Sequence, residues 1–419
     1  MTIYFLVFQI GIFSEIFSNM FSNISIATWA VPLLILQIPA VAILLSRLSL
    51  GPFRMPPIQS QSATLEQLGR VTVVVPTLNE ADRIQPCLDG LTRQSYEVRE
   101  VIVVDSRSTD GTPELVKAMM EKDPRFRLIN DDPLPSDWVG RPWALHTGFL
   151  QSSPRSEWIL GIDADTQPTP GLVAGLLKVA EDRGYDLVSL SPQFILKTPG
   201  EMWLQPALLM TLVYRFGPTG SNSGGEQRVM ANGQCFLSRR SLLTQLDGYR
   251  TARQSFCDDV TLARNAAKQG FKVGFLDGAK VFKVRMYEGM KETWQEWGRS
   301  LDLKDASSTV QTWGDLWLLL AVQGLPLPVA LTALFFYPSF SVSFSAPGLL
   351  LGLNLFLLTI RFALNFAIAP SYDRSSASPF ASFMFWLSPL ADPLACLRIF
   401  ISATHRPTQW RGRTYPSFD

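Results

Sequence analysis

Residues 158–165 read Trp-Ile-Leu-Gly-Ile-Asp-Ala-Asp, an uncharged apolar run that ends in two acids separated by one residue. A short continuous apolar run is the signature of a strand buried on both faces of a parallel sheet. An Asp-x-Asp triplet alone is a weak motif, common in surface turns; at the end of such a strand it becomes a candidate site. Working toward the N-terminus, Val71 to Pro76 and Val101 to Val104 repeat the strand pattern, the second closing on Asp105. Between them, 81–94 carries Ile84, Leu88 and Leu91 at helical spacing, and 112–121 is a further amphipathic helix after the turn Thr109-Asp110-Gly111. Phe126 to Ile129 reads as a strand, 144–151 as a helix, 170–182 as a helix and 187–190 as a strand. The alternation predicts an α/β, doubly wound sheet with right-handed crossovers. Ligands of such sheets bind beyond the carboxyl ends of the strands. Glu80, Asp105, Asp163 and Asp165 all fall there, so separate strands deliver carboxylates to one edge.

The flanks are of another kind. No charged side chain occurs from Ile16 to Ser46, and none between Asp315 and Arg361. A bilayer core needs about 20 apolar residues per helix. The sequence therefore predicts an apolar segment at 1–24, a membrane anchor at 25–46, a catalytic unit at 70–305 and two membrane helices at 316–337 and 348–369. A segment at 380–403 is interfacial, re-entrant or a third crossing, and 404–419 is a basic tail. A cleaved signal peptide fits poorly, because no basic region opens the chain and Glu15 interrupts the first apolar stretch. Arg47, Arg54 and Arg70 follow the anchor and nothing basic precedes it, which orients the central unit toward the cytoplasm. The stretch Met202 to Tyr214 is apolar but too short to span; it belongs at the interface, beneath the central unit, or in its core.

The composition bounds the chemistry. Net charge is +1, so no global field points to a nucleic acid partner. The four cysteines are scattered, without the close pairs of zinc sites, and read as reduced thiols. With only His146 and His405 present, acid–base work falls to carboxylates. Asp163 and Asp165 suit a hard cation, Mg2+ or Mn2+, which takes oxygen ligands and keeps water or phosphate in its shell. Asp258-Asp259 precedes a helix at 260–268. Capping is the plain role for such a pair, yet an acid beside a second acid and apolar neighbours has a raised pKa suited to accepting a proton.

The series VVVPTLNE (73–80), VVDSRSTDGT (103–112), GIDADT (161–166), NGQCFLSRR (232–240) and DDVTLARNAAKQG (258–270) resembles the family 2 glycosyltransferases, across roughly 70–300. The resemblance implies a GT-A nucleotide-diphospho-sugar transferase fold, here with an N-terminal transmembrane anchor and C-terminal transmembrane or interfacial helices. It implies that Pro76, Asn79 and Glu80 shape the nucleotide pocket, that Asp105 binds base or ribose, and that Asp163 and Asp165 hold the divalent cation. Asp259 is then the general base of an inverting transfer, with Asp258 and Gln234 at the substrate. Arg141 stands where relatives commonly have lysine, and contacts either phosphate or a surface acid. The Gln-x-x-Arg-Trp motif of membrane-embedded members is imperfect: Gln295 to Arg299 is one residue too long and Ser300 replaces tryptophan, which leaves Arg299 as a pyrophosphate clamp and weakens a polymer-making reading. The layout resembles the branch holding cyanobacterial carotenoid 2'-O-glycosyltransferases and hopanoid-associated glycosyltransferases. That branch implies a nucleotide sugar donor, a lipophilic acceptor (a carotenoid, specifically a myxol-type xanthophyll, or another lipid) and a membrane partner. A hopanoid, a ceramide-like lipid or a polyprenyl phosphate is the alternative acceptor; a silent nucleotide-sugar-binding scaffold is the alternative of another class.

Overall fold

A computed structural model describes residues 26–221, 225–297, 301, 303–336, 345–405, 409–410 and 413–414. Arg299 and the segment 1–24 lie outside them. The described chain opens with α1 (Ile26–Leu48). Then come β1 (Val71–Thr77), α2 (Gln85–Thr92), β2 (Val98–Asp105), α3 (Thr112–Lys122), β3 (Phe126–Asn130), α4 (Gly140–Gln151) and β4 (Trp158–Ile162). Next are β5 (Thr166–Pro168), α5 (Leu172–Arg183), β6 (Leu187–Ser191), β7 (Gln193–Ile195), α6 (Pro199–Phe216), β8 (Cys235–Arg239), α7 (Arg240–Gln245), α8 (Asp258–Lys268), β9 (Val273–Asp277) and β10 (Phe282–Val284). The C-terminal part holds α9 (Thr309–Leu319), α10 (Pro326–Phe336), α11 (Ala346–Ile368), β11 (Tyr372–Asp373), α12 (Pro379–Trp386) and α13 (Asp392–Thr404).

The main sheet has the order β3-β2-β1-β4-β8-β6-β9. Alternate residues of its apolar strands face opposite cores. Val73 and Val75 pack with Leu88, Val116 and Leu176 of α2, α3 and α5. Val74 packs with Leu145, Phe149 and Leu262 of α4 and α8. Helices thus cover both faces, as the alternation of elements predicts. Gly148 shows how close α4 lies, since a Cβ there would meet Val74 Cγ1 at 2.3 Å. One strand lies outside the alternation read from the sequence: β8 runs antiparallel between β4 and β6, so the sheet is mixed. Its chain returns from α6 and enters the sheet from the far end, which no periodicity signals. The helix expected over 81–94 is also shorter, with 81–84 in a turn before α2.

A second sheet, β11-β7-β10-β5, sits beside the first. Its outer strand β11 comes from beyond α11, Tyr372 pairing with Phe194 and Asp373 with Ile195. Helix α6 is the seam. It contributes Leu204, Leu208 and Tyr214 to a core shared with Leu44 of α1, Leu316 and Leu319 of α9, Leu357 of α11 and Ile399 of α13. The apolar stretch 202–214 is therefore buried beneath the catalytic unit, between it and the apolar helices. Three helical stretches, Thr28–Phe53, Thr309–Phe335 and Ala346–Ser371, are long and apolar enough to cross a membrane, and α12 with the helical run Ser388–Thr404 forms a pair bent by 62°.

Candidate active site

The site is built where β1 and β4 end and α4 and α8 begin. Asp163 follows β4 directly. Its backbone N–H donates to the Gln234 carbonyl (3.3 Å), and its carbonyl accepts from the Thr166 N–H (3.2 Å) and hydroxyl (2.8 Å). The turn is thereby pinned on both sides, with Asp163 about a quarter exposed and Asp165 buried. Arg141, in the first turn of α4, aims its guanidinium into this space. Nε and Nη2 donate to Asp163 Oδ1 at 3.1 and 2.9 Å, Nη2 also to the Gly233 carbonyl at 2.8 Å, and Nη1 to Asp258 Oδ2 at 2.5 Å. Burial works against its charge, but Asp163, Asp258 and Asp259 hold it firmly protonated. In place of a phosphate or a surface acid, Arg141 holds two acids of the site itself, joining the partly exposed Asp163 after β4 to the buried Asp258 that starts α8. Gly233, which sequence reasoning did not single out, makes this possible: a Cβ there would lie 2.4 Å from Arg141 Nη2. The signal was the glycine inside Asn232-Gly233-Gln234, just before a strand.

The acid pair is not an ordinary cap. Asp258 is buried on Arg141, whereas Asp259 Oδ2 accepts the Gly233 N–H at 2.7 Å and Oδ1 the Val260 N–H at 2.8 Å. Burial raises both carboxyls. Arg141 opposes the rise at Asp258, which with Asp259 and Asp163 nearby still reaches about 7. Asp259 is raised by burial, against the pull of Arg141 and of its two amide donors. It is also only partly covered, so it keeps access to solvent and ligand. A carboxylate of that kind accepts a proton more readily than an ordinary aspartate.

Two cavities meet at Arg141, Asp163 and Asp165. The smaller, about 50 Å³, is lined by Pro76, Thr77, Glu80, Ser106 and Gly140 besides these three. The larger, about 560 Å³, contains Gln234, Asp258 and Asp259 and is walled by apolar residues, among them Leu209, Leu212, Val213 and Phe216 of one face of α6. Pro76, Glu80, Arg141, Gln234, Asp163, Asp165, Asp258 and Asp259 are thus brought together. Asn79 and Asp105 stand one layer back. Asn79, with φ 54°, uses its side chain to hold the Thr109 N–H at 2.9 Å. Asp105 takes the Thr77 hydroxyl at 3.2 Å and the Ser108 N–H at 3.0 Å. Both brace the loops around Ser106, which itself reaches the small cavity. His146 is stacked on Trp138 with centroids 4.9 Å apart, away from the acids. All four cysteines are buried.

Among the residues lining the two cavities, Arg141 is the basic side chain facing Asp163, Asp165, Asp258 and Asp259. That excess of negative charge suits a divalent cation. Among the described residues no group of three or more His, Cys, Asp or Glu forms a closed metal site. A cation on Asp163 and Asp165 would complete its shell from water and ligand phosphate oxygens.

Residues 72–247 match the family model described as glycosyl transferase family 2. The chain carries a family 2 glycosyltransferase domain. The α/β class expected from the motifs is the class of this sheet. A 4,4'-diaponeurosporenoate glycosyltransferase of Staphylococcus haemolyticus is 27% identical over 243 residues, 57% of this chain and 62% of that one. An undecaprenyl-phosphate 4-deoxy-4-formamido-L-arabinose transferase of Serratia proteamaculans is 32% identical over 30% of this chain and 37% of its own. Among solved structures, a mannosyltransferase from Pyrobaculum calidifontis in complex with GDP-Man and Mn2+ aligns over 90% of this chain and 97% of its own, at 21% identity and a TM-score of 0.48. The match to the first of these relatives spans less than two thirds of its length. Within the glycosyltransferase domain the family match ends at 247, so the small cavity lies inside it, whereas Asp258, Asp259 and much of the large cavity's wall lie beyond.

Proposed function

We propose that the protein transfers a sugar, with inversion, from a nucleotide sugar to the hydroxyl of a membrane-soluble acceptor, from the cytoplasmic face of a membrane. The observation that carries this is the meeting, at one set of acids, of a small cleft and a large cavity that has one apolar wall. The donor diphosphate occupies the cleft side, near Pro76, Glu80, Asp163 and Asp165. A divalent cation held by Asp163 and Asp165 supplies charge neutralisation for the departing diphosphate. Arg141 adds a positive charge at the same edge and keeps Asp258 in place. Asp259, on the cavity side, takes the proton of the attacking hydroxyl. The apolar wall formed by α6 receives the acceptor's body, and the long apolar helices on the other side of α6 bring the lipid phase to it.

The finer reading is a carotenoid acceptor, a myxol-type xanthophyll glycosylated at its 2'-hydroxyl. Its support is the motif layout, the apolar α6 wall of the cavity and a relative named for diaponeurosporenoate. The test is incubation of membranes holding the protein with labelled sugar nucleotides, followed by identification of the labelled lipid. Label in a water-soluble product would overturn the membrane-acceptor reading. Unchanged pigments in a deletion strain would overturn the carotenoid one alone.

A further inference from the structure

A second cluster of charge lies where α1, α6, α8 and α9 meet, away from the acids. Arg47, in the last turn of α1, donates from Nη1 to the Tyr214 carbonyl at 2.8 Å. Arg215 follows on α6, fully buried, and donates to the carbonyls of Thr211 and Leu301. Arg264 of α8, also buried, donates to the Val229 carbonyl at 3.1 Å, the Ala306 carbonyl at 2.7 Å and the Ser307 hydroxyl at 2.9 Å. The guanidiniums of Arg215 and Arg264 lie 5.2 and 5.7 Å from the centroid of the Phe216 ring. Arg228 precedes Val229, and the neighbouring Gln227 carbonyl accepts from Gln311 of α9 at 2.8 Å. One helical turn beyond Gln311 stands Asp315, within electrostatic reach of all four arginines. The described residues show no direct ion pair between Asp315 and Arg47, Arg228 or Arg264.

Guanidinium N–H groups are left over. Arg264 Nη2, Arg228 Nε and Nη2, and Arg47 Nε are buried and have no hydrogen-bond partner among the described residues. Buried donors without acceptors are costly, most of all on a charged group. Burial lowers Arg264 to about 10, with Arg215 adding to the effect and Asp315 opposing it, and burial lowers Arg228 as well. A compact anion with several oxygens is the partner such donors take, and phosphate is the group that guanidinium forks match. Position selects its source. Arg47 is near the end of the apolar stretch Thr28–Phe53 and Asp315 near the start of Thr309–Phe335, the level at which headgroups lie. Arg264 is roughly 7 Å further along α8 than Asp259, so a phosphate held here is a docking group and not the reacting oxygen.

We infer that Arg47, Arg228 and Arg264 form a binding site for the phosphate of an anionic bilayer lipid, at the junction of the membrane helices with the catalytic unit. The full-length protein is placed in nanodiscs of phosphatidylcholine alone or with phosphatidylglycerol, and retained lipid is read by native mass spectrometry alongside thermal unfolding. The expected result is roughly tenfold preferential retention of the anionic lipid, the worth of one charge-assisted hydrogen bond, with a higher unfolding temperature. Arg228→Gln and Arg47→Gln, at partly exposed positions, abolish the preference while the protein stays folded; Arg264→Gln adds a case at a buried one. Undiminished preference in both partly exposed variants overturns the proposal. Stabilisation by inorganic phosphate without preference for the anionic lipid assigns the site to a soluble anion and overturns the lipid assignment. Uptake of label by the retained lipid from a sugar nucleotide makes that lipid the acceptor and overturns the docking role.

Discussion

The two sides of the site are built differently. The cleft side, about 50 Å³, is made at the ends of β1 and β4 and the start of α4, from short runs of chain in which each polar residue follows its strand closely. The cavity side, about 560 Å³, is assembled from α6, the loops before β8 and α8, and residues after β10, segments that meet only through tertiary packing. On the proposed function, the first side carries a task common to every sugar nucleotide, so local motifs suffice. The second would fit one acceptor, and its walls are set by packing against the apolar helices. That reading divides a shared reaction from a private substrate along the line Arg141–Asp163.

Experiments can break or sharpen that division. The largest effect is expected from Asp259→Asn: loss of the base lowers kcat by about 10²–10⁴, with donor affinity unchanged in nucleotide-sugar binding measurements. An equal loss of donor binding would mean that the two sides are not separable, and near-normal turnover would point to a phosphate acceptor that needs no base. Gly233→Ala is next. Its Cβ would sit 2.4 Å from Arg141 Nη2 and displace the guanidinium shared by both sides; a shift of that kind costs about 10² in kcat/KM, and it should fall on donor and acceptor alike. Leu212→Ala, on the α6 wall, should raise acceptor KM roughly tenfold and leave donor KM untouched. The smallest effect is expected at the second sheet. Lys283 and the Ser375 hydroxyl hold Asp373 down at about 2. A carboxyl depressed in the folded state stabilises fully above its ordinary value of about 3.9, and the contribution fades as pH falls toward 2. Lys283→Ala should remove less than about 1 kcal/mol at pH 7, and flatten the loss of thermal stability between about pH 4 and 2 by a matching amount.

The same division explains what could be read from the chain alone. Val71 to Pro76 and Trp158 to Ile162 announce buried strands because their burial is continuous, and the acids after them fall at the sheet edge by topology. The direction of β8 could not be read: Cys235 to Arg239 has a strand's composition in either orientation. Arg141 was visible as a position but not as a partner, since its acids lie on β4's exit and on α8. The Asp258-Asp259 pair looked like a cap in sequence and becomes a buried, bridged pair only through Gly233 and Arg141. The arginines around Asp315 come from four separate elements, and no spacing rule gathers them.

The strand β11 has a consequence for how the molecule is made. Its partner β7 is translated long before it, and α9, α10 and α11 all emerge from the ribosome in between. Until Tyr372 arrives beside Phe194, the outer edge of the second sheet is a row of open amides and carbonyls, the kind of edge that pairs with whatever strand it meets. The catalytic unit therefore finishes only after the long apolar helices have been synthesised. A chain that stops after α10 should keep its acids and its main sheet, yet be prone to aggregate through β7. Placing β11 beyond those helices thus works as a checkpoint on biogenesis, tying completion of the second sheet to the synthesis of the apolar helices.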